Sequence, residues 1–390
     1  MKFNFDEIIE RKNSGCVKYD QAKEVFGTDD LLPMWVADMD FKTPDCILDA
    51  IKRRAEHPVL GYFYHSDGFY RSIIDWMYRR HQWAIEKEWI QFSPGIVSGL
   101  ALIVEAFTRK NDKIIVQPPV YHPFYYVVEN QERQIVKNPL RMEGDLYKMD
   151  YFDLEEKLKA GAKMLILCNP HNPVGRSWTR GELQRLGELC IRYNCLILSD
   201  EIHADLVLTG SKHTPMAHVS KEIADHTITC MAPSKTFNMA GMTTSEVIIP
   251  NADLRKQYER YLIERLHLQG GNIFGDVALE AAYTHGEEWL DELLLYITSN
   301  VKYCQNFIAE RIRGIKTYKQ EATYLLWMDF HGTGMTHEQL WQKLVYEAKL
   351  GLNDGAIFGE GGTCFMRMNL ACPKSTVEEA MQRLERVFNE

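Results

Sequence analysis

Five short runs of aliphatic and β-branched residues, Lys113–Gln117, Met164–Cys168, Cys195–Ser199, Thr227–Met231 and Glu246–Ile249, punctuate the middle of this 390-residue chain. Each is brief and bounded by polar or turn residues, the texture of strands covered on both faces. Helical patterns lie between several of them, Thr179 to Arg192 most clearly. Such a βα alternation implies an α/β protein with a mostly parallel, doubly wound sheet. Apolar residues three and four apart predict further amphipathic helices over Pro44 to Ala55, Phe69 to His81 and Val97 to Phe107.

The ends of the chain read differently. Up to about residue 45 a helical start, Phe5 to Lys12, leads into an irregular stretch that closes on Met34-Trp35-Val36-Ala37-Asp38-Met39-Asp40-Phe41. It looks like an arm. From Glu287 a long helical pattern runs to Arg313, and two strand-like runs, Tyr324 to Phe330 and Phe365 to Leu370, bracket a helix near His337 to Leu350. A chain of this length is long for one hydrophobic core. The expected division is a large domain over 46–285 and a smaller α+β domain formed by the arm, 1–45, with 286–390.

A formal net charge of −9 disfavours nucleic acid as a partner, because phosphate backbones are bound by clustered Lys and Arg. A small metabolite fits better. No stretch approaches the ~20 consecutive apolar residues that cross a bilayer, and the first residues turn acidic at Asp6 instead of forming a secretory apolar region. Those readings predict a cytoplasmic protein with no membrane partner. The nine cysteines contain no Cys-x-x-Cys pair, so neither a disulfide framework nor a zinc site is signalled and no metal is expected.

Ligands of open α/β sheets sit beyond the carboxyl ends of the strands, so the turns after the runs are where a site would assemble. Four are unusual. Ala232-Pro233-Ser234-Lys235-Thr236-Phe237-Asn238 follows Thr227–Met231. A lysine with pKa about 10.4 is neutral in only about one of a few thousand molecules at pH 7. A nucleophilic Lys235 therefore needs desolvation or conversion to an imine, as with pyridoxal 5′-phosphate (PLP); taken alone, it would be a solvated loop lysine. Ser199-Asp200-Glu201-Ile202-His203-Ala204-Asp205 closes the run Cys195–Ser199. Its Asp200 would pair with a pyridine nitrogen and keep it protonated, or simply cap the following helix. His203 would donate to a phenolic oxygen or be satisfied within the core.

Cys168-Asn169-Pro170-His171-Asn172-Pro173-Val174-Gly175 builds a rigid turn that would aim the Asn172 amide at a ligand. Phe92-Ser93-Pro94-Gly95-Ile96-Val97 leads into a helix whose first N–H groups suit a phosphate, though a Gly before a helix is a common feature. Tyr121, in Pro118-Pro119-Val120-Tyr121, would lie against an aromatic cofactor or pack among the prolines. Arg367 stands inside the apolar run Phe365–Leu370, where a guanidinium needs an anion: a substrate carboxylate, or an internal ion pair.

Taken in order, Tyr121, Asn172-Pro173-Val174-Gly175, Asp200 to His203, Ser234 to Gly241 and Arg367 resemble fold-type I PLP enzymes of the aspartate aminotransferase superfamily, and the match spans nearly the whole chain. Trp35 to Phe41, Ser199 to His203 and Ser234 to Asn238 look like its MalY/PatB branch of cystathionine β-lyases, or C–S β-lyases. The resemblance implies a large domain with a mostly parallel seven-stranded sheet between helices. It implies that Lys235 carries PLP as an imine, that Asp200 pairs with the pyridine nitrogen, and that Asn172 and His203 contact the ring oxygen. Tyr121 would stack on the ring, the amides of Ile96 and Val97 with Ser234 would hold the phosphate, and Arg367, Ala37 and Asn172 would meet the substrate. Tyr62, in Gly61-Tyr62-Phe63-Tyr64, would reach the phosphate in a neighbouring subunit of a homodimer. One departure stands out: Thr243 occupies the position, eight beyond the lysine, where those enzymes commonly place a phosphate-binding Arg, and Ala232 replaces a Ser.

The activity so implied is α,β-elimination from L-cystathionine or a related cysteine S-conjugate. An aminotransferase shares the same carbanion and differs only in its fate. A regulatory binding protein that keeps the cofactor is a third reading.

Overall fold

The aliphatic runs become strands because helices cover both of their faces. In the computed structural model, which describes residues 2–268 and 270–389, seven strands form one sheet. They are β1 (Ile90–Ser93), β2 (Lys113–Val116), β3 (Gln134–Lys137), β4 (Met164–Cys168), β5 (Leu196–Asp200), β6 (Thr227–Met231) and β7 (Ser245–Ile248). Their order is β1-β7-β6-β5-β4-β2-β3, with β7 antiparallel to both neighbours and the ladders from β6 across to β3 parallel. This is the mostly parallel α/β sheet that the alternation predicts.

Successive side chains point to opposite faces. Ile114, Val116, Ile166, Leu198 and Ile228 pack against Leu100, Ile103 and Val104 of helix Ile96–Phe107. Ile115, Leu165, Leu167 and Ile197 meet Leu183, Leu186 and Cys190 of helix Arg180–Arg192, which a Thr179/Glu182 capping box starts. At about 1.5–3 kcal/mol for each fully buried aliphatic side chain, these two layers fix the sheet, and with it the strand ends.

A second sheet of four antiparallel strands combines β8 (Lys316–Thr317), β9 (Leu325–Asp329), β10 (Asn353–Asp354) and β11 (Phe365–Asn369) in the order β8-β9-β11-β10. Helices Glu287–Arg311 and Lys374–Phe388 pack with it, through Leu293, Val301, Val377 and Leu384.

The predicted helical start from Phe5 to Lys12 does not form; that segment has no helical residue. Long-range contacts outweigh its weak local preference. Phe5 is buried against Phe41, Trp289 and Tyr296, Tyr296 donates its hydroxyl to Asp6, and Arg11 bonds Asp38 and Asp40. Lys18, almost wholly buried, adds its ammonium at 2.8 Å from Asp38 and 3.1 Å from Asp40. This ion cluster holds Trp35–Asp40 beside β11, where Asn369 donates to the Val36 carbonyl. Among the described residues, no helix is long and apolar enough to cross a membrane.

Candidate active site

The parallel register places Cys168, Asp200 and Cys230 side by side at the carboxyl ends of β4, β5 and β6, so the three turns that follow open on one place. A single cavity there is lined by Asp200, Ile202, His203, Cys168, Asn172 and Lys235, with Ile96, Val97, Tyr121 and Ala37 completing the wall.

Each side chain is set by its local fold. Asp200 accepts the Ile202 N–H at 3.1 Å, while Ala204 N–H to Glu201 O and Leu206 N–H to His203 O close the turn. Lys235 rides a single helical turn, Pro233–Thr236, started by a proline, and its Nζ donates to the Ala37 carbonyl at 2.6 Å. Asn238, at φ 53°, stitches this turn to the arm by donating to the Met39 and Phe41 carbonyls and accepting the Met39 N–H. Both Asn–Pro bonds of the Asn169–Pro173 turn are cis. Asn172 Oδ1 accepts from Arg367 Nη1 at 3.0 Å. The other Arg367 terminal nitrogen donates to the Trp35 carbonyl at 3.0 Å, and the Phe358 ring lies 5.0 Å from its guanidinium. Gly95, at φ 112°, is the residue before helix Ile96–Phe107, a backbone conformation that favours glycine. Ile96 and Val97, the first two residues of that helix, line the cavity.

The electrostatics show what the cavity is built to receive. Burial, helped by the neighbouring Glu201, pushes Asp200 up to about 7. Burial brings Lys235 down to about 8, Arg367 adding to the effect and Asp38 and Asp200 opposing it. Burial, then Lys235 and Arg367, hold His203 neutral down to about 3, and burial raises Tyr121 to about 12. Two buried nitrogens, His203 Nδ1 and Arg367 Nε, have no hydrogen-bond partner, although buried polar groups are normally satisfied.

PLP fits these residues. An acid facing a cationic ring nitrogen would be relieved of its burial cost, a phenolic oxygen would satisfy His203, and a phosphate suits the amides of a helix start. Arg367, brought down to about 10 by burial, awaits an anion.

Of the residues singled out in the sequence, Lys235, Asp200, Asn172, His203, Tyr121, Ile96, Val97 and Ala37 meet in this cavity and Arg367 adjoins it through Asn172. Ser234 is half-buried on the Lys235 turn. Tyr62 stands apart, wholly exposed. Thr243 lies in the left-handed region, φ 45°, within 3.5 Å of the Asn272 amide. Sequence reasoning missed Tyr324, whose hydroxyl shares the Ala37 carbonyl with Lys235 at 3.0 Å, and the Trp35 carbonyl. A hydroxyl at the head of the run Tyr324–Phe330 was the one available signal; a main-chain carbonyl leaves none.

Comparison with known proteins agrees with this geometry. The family model for aminotransferase class I and II matches residues 29–384. Cystathionine β-lyase PatB of Bacillus subtilis is 44% identical over 383 residues, covering 98% of this chain and 99% of its own. Protein MalY of Escherichia coli is 30% identical, covering 98% of each. The crystal structure of cystalysin from Treponema denticola, which contains PLP, superposes with a TM-score of 0.95 at 35% identity over 100% of this chain and 99% of that one. With its cavity, its fold and these end-to-end matches in agreement, the chain belongs to the class I and II aminotransferase family, in the MalY/PatB branch of PLP-dependent C–S β-lyases.

Proposed function

We propose that the enzyme cleaves the Cβ–S bond of L-cystathionine or a related cysteine S-conjugate by α,β-elimination, giving a thiol (homocysteine from cystathionine) and an aminoacrylate that one water hydrolyses to pyruvate and ammonia. The observation that carries this reading is one cavity holding a lysine of lowered pKa and a buried acid of raised pKa, adjoined through Asn172 by an arginine whose Nε has no partner, in a chain 44% identical to a cystathionine β-lyase. When bound, PLP supplies an electron sink for negative charge developing at the substrate Cα.

The chain's residues then divide the work. Lys235 holds the cofactor and, once its amine is free, takes the Cα proton; an ammonium near 8 is deprotonated far more often at neutral pH than an ordinary lysine. Asp200 would hold a proton on the ring nitrogen. His203 and Asn172 would meet the ring oxygen and Tyr121 the ring face. Ile96, Val97 and Ser234 would hold the phosphate. Arg367 grips the substrate carboxylate bidentately, steadied by Asn172 and the Trp35 carbonyl, with Ala37 closing the substrate side. Cystathionine's sulfur leaves Cβ with the bonding electron pair.

A homodimer in the cytoplasm is part of the same proposal, with Tyr62 of each copy reaching the phosphate of the other. The exposed run of Val59, Leu60, Tyr62 and Tyr64 supports it. The test is pyruvate formation from L-cystathionine by the purified protein without any keto acid. A requirement for a keto acid, with accumulation of the pyridoxamine form, would replace this reading with transamination.

A further inference from the structure

Two residues beyond His203 stands a buried carboxylate, Asp205, that the proposed chemistry does not use. Asp205 accepts from His81 Nε2 at 2.9 Å, from the Trp76 indole N–H at 3.1 Å and from the Thr236 hydroxyl at 2.9 Å. Trp76 and Thr236 have no exposed surface, and Asp205 and His81 are buried as well. The donors come from two different elements. Trp76 and His81 belong to helix Asp67–His81, whereas Thr236 is the residue after Lys235. Asp205 itself is two residues beyond His203, in the turn closed by Leu206 N–H to His203 O. One carboxylate thus ties the turn carrying the lysine to the turn carrying Asp200 and His203, and ties both to a helix outside the site.

Burial works against its charge, but hydrogen bonds from His81 and Thr236, with Arg80 on the helix, hold Asp205 ionised and so an acceptor; Glu246, in β7, is itself pushed up to about 8 by burial. A protonated carboxyl would turn one oxygen into a donor, with three donors already aimed at it.

The consequence falls on Lys235. Its side chain has four free torsions, and the amine must serve in turn as anchor and as base, so the place where its Cα is fixed decides where the amine can swing. We propose that Asp205 is a positioning residue, which through the Thr236 hydroxyl fixes the origin of the Lys235 swing relative to Asp200 and His203. This rests on the reading of Lys235 as the PLP lysine and Cα base. Small misplacements of a reacting group lower the rate of the step it performs while leaving binding groups elsewhere untouched.

The test compares Thr236→Val, which keeps the shape and removes the hydroxyl, with Thr236→Ser, which keeps the hydroxyl. In the PLP-bound enzyme, Val should lower kcat about tenfold with KM within about twofold. It should also slow the return of visible absorbance when apoprotein is mixed with PLP, and Ser should restore both. If Val proves unstable at this buried position, Thr236→Ala, which only removes atoms, reads the same quantities. Unchanged kcat and uptake beside a lowered Tm would overturn the proposal in favour of a purely structural staple. Equal losses in Val and Ser, or a change confined to KM, would overturn it too. Uptake of PLP reads Lys235 whatever reaction the enzyme catalyses. A protein making no pyruvate would therefore count against the lyase reading alone.

Discussion

Asp200, His203, Asn172 and Arg367 each keep 3% or less of their surface exposed, whereas Val59, Leu60, Tyr62 and Tyr64 each keep more than 60%. The first group is braced from the sheet, the arm and β11, and every member meets a fixed neighbour or faces the cavity. The second lies on a stretch without regular secondary structure, between helix Asp45–Glu56 and helix Asp67–His81. The residues proposed to handle the ring and substrate carboxylate are finished within one chain. The exposed stretch buries its apolar surface only against something else, and the proposed second copy would convert it into part of the phosphate site.

If the buried half is self-sufficient, damage to it should be large and independent of association. Lys235→Ala should reduce elimination by about 10³-fold or more and abolish covalent fixation of PLP by borohydride. Pyruvate assays and mass spectrometry of the reduced protein check both.

Asp200→Asn comes next, at about 10²–10³-fold in kcat, since the ring nitrogen loses its counter-charge. The apoprotein gives an independent reading. A carboxyl raised to about 7 in the folded state, against about 3.9 unfolded, contributes stability below pH 4 that is lost as pH rises through 7. His203, held neutral to about 3, works in the opposite sense but equally in both proteins. Urea unfolding of the two apoproteins at pH 5 and pH 7.5 should show the wild type losing more stability than Asn; parallel behaviour would remove Asp200 from its assigned environment.

The sequence displayed this buried half well because its residues sit where polar side chains interrupt apolar runs. Lys235 and Asn172 each follow a strand that reads as an apolar run, Asp200 ends one, and Arg367 is a charge inside one. What stayed hidden lacked that contrast. β3 is an edge strand with Gln134 and Lys137 exposed, so it offers no apolar run. β1 ends inside the stretch that reads as a turn before the helix. The failed helix from Phe5 to Lys12 shows the converse, a local pattern overruled by partners nearly three hundred residues away, Trp289 and Tyr296. Asp205 was visible as a letter in the strand-end motif, but its bonds to Trp76, His81 and Thr236 come from packing alone.

Arg367 is where the two halves of the comparison can be separated by chemistry. Lysine keeps the charge but loses the planar fork that bonds Asn172 and the Trp35 carbonyl and would in the proposed role also take a carboxylate. Arg367→Lys should raise KM about 10–100-fold, the scale of a lost charge-assisted hydrogen bond or two, with PLP content unchanged. A fall in PLP content instead would place the guanidinium in cofactor binding.

Tyr62→Phe should give the smallest effect, and it tests the exposed half directly. Its hydroxyl touches nothing in the single chain, where the side chain is as open as in an extended peptide, so removing it cannot disturb the fold of that chain. If a second copy brings the hydroxyl to the phosphate, one hydrogen bond to a charged acceptor is lost, worth about 1.5–3 kcal/mol and so about 10–100-fold in PLP affinity. Solvent competition at a rim position pulls the expectation to the lower end of that range. The loss should appear when apoprotein is titrated with PLP at protein concentrations where sedimentation shows the dimer. In wild-type protein, PLP affinity should itself fall on dilution below the dimer dissociation constant, and in the Phe variant that dependence should flatten. Equal affinities for the two proteins at all concentrations would mean that the phosphate is held by Ile96, Val97 and Ser234 without help, and that the exposed aromatics serve association alone.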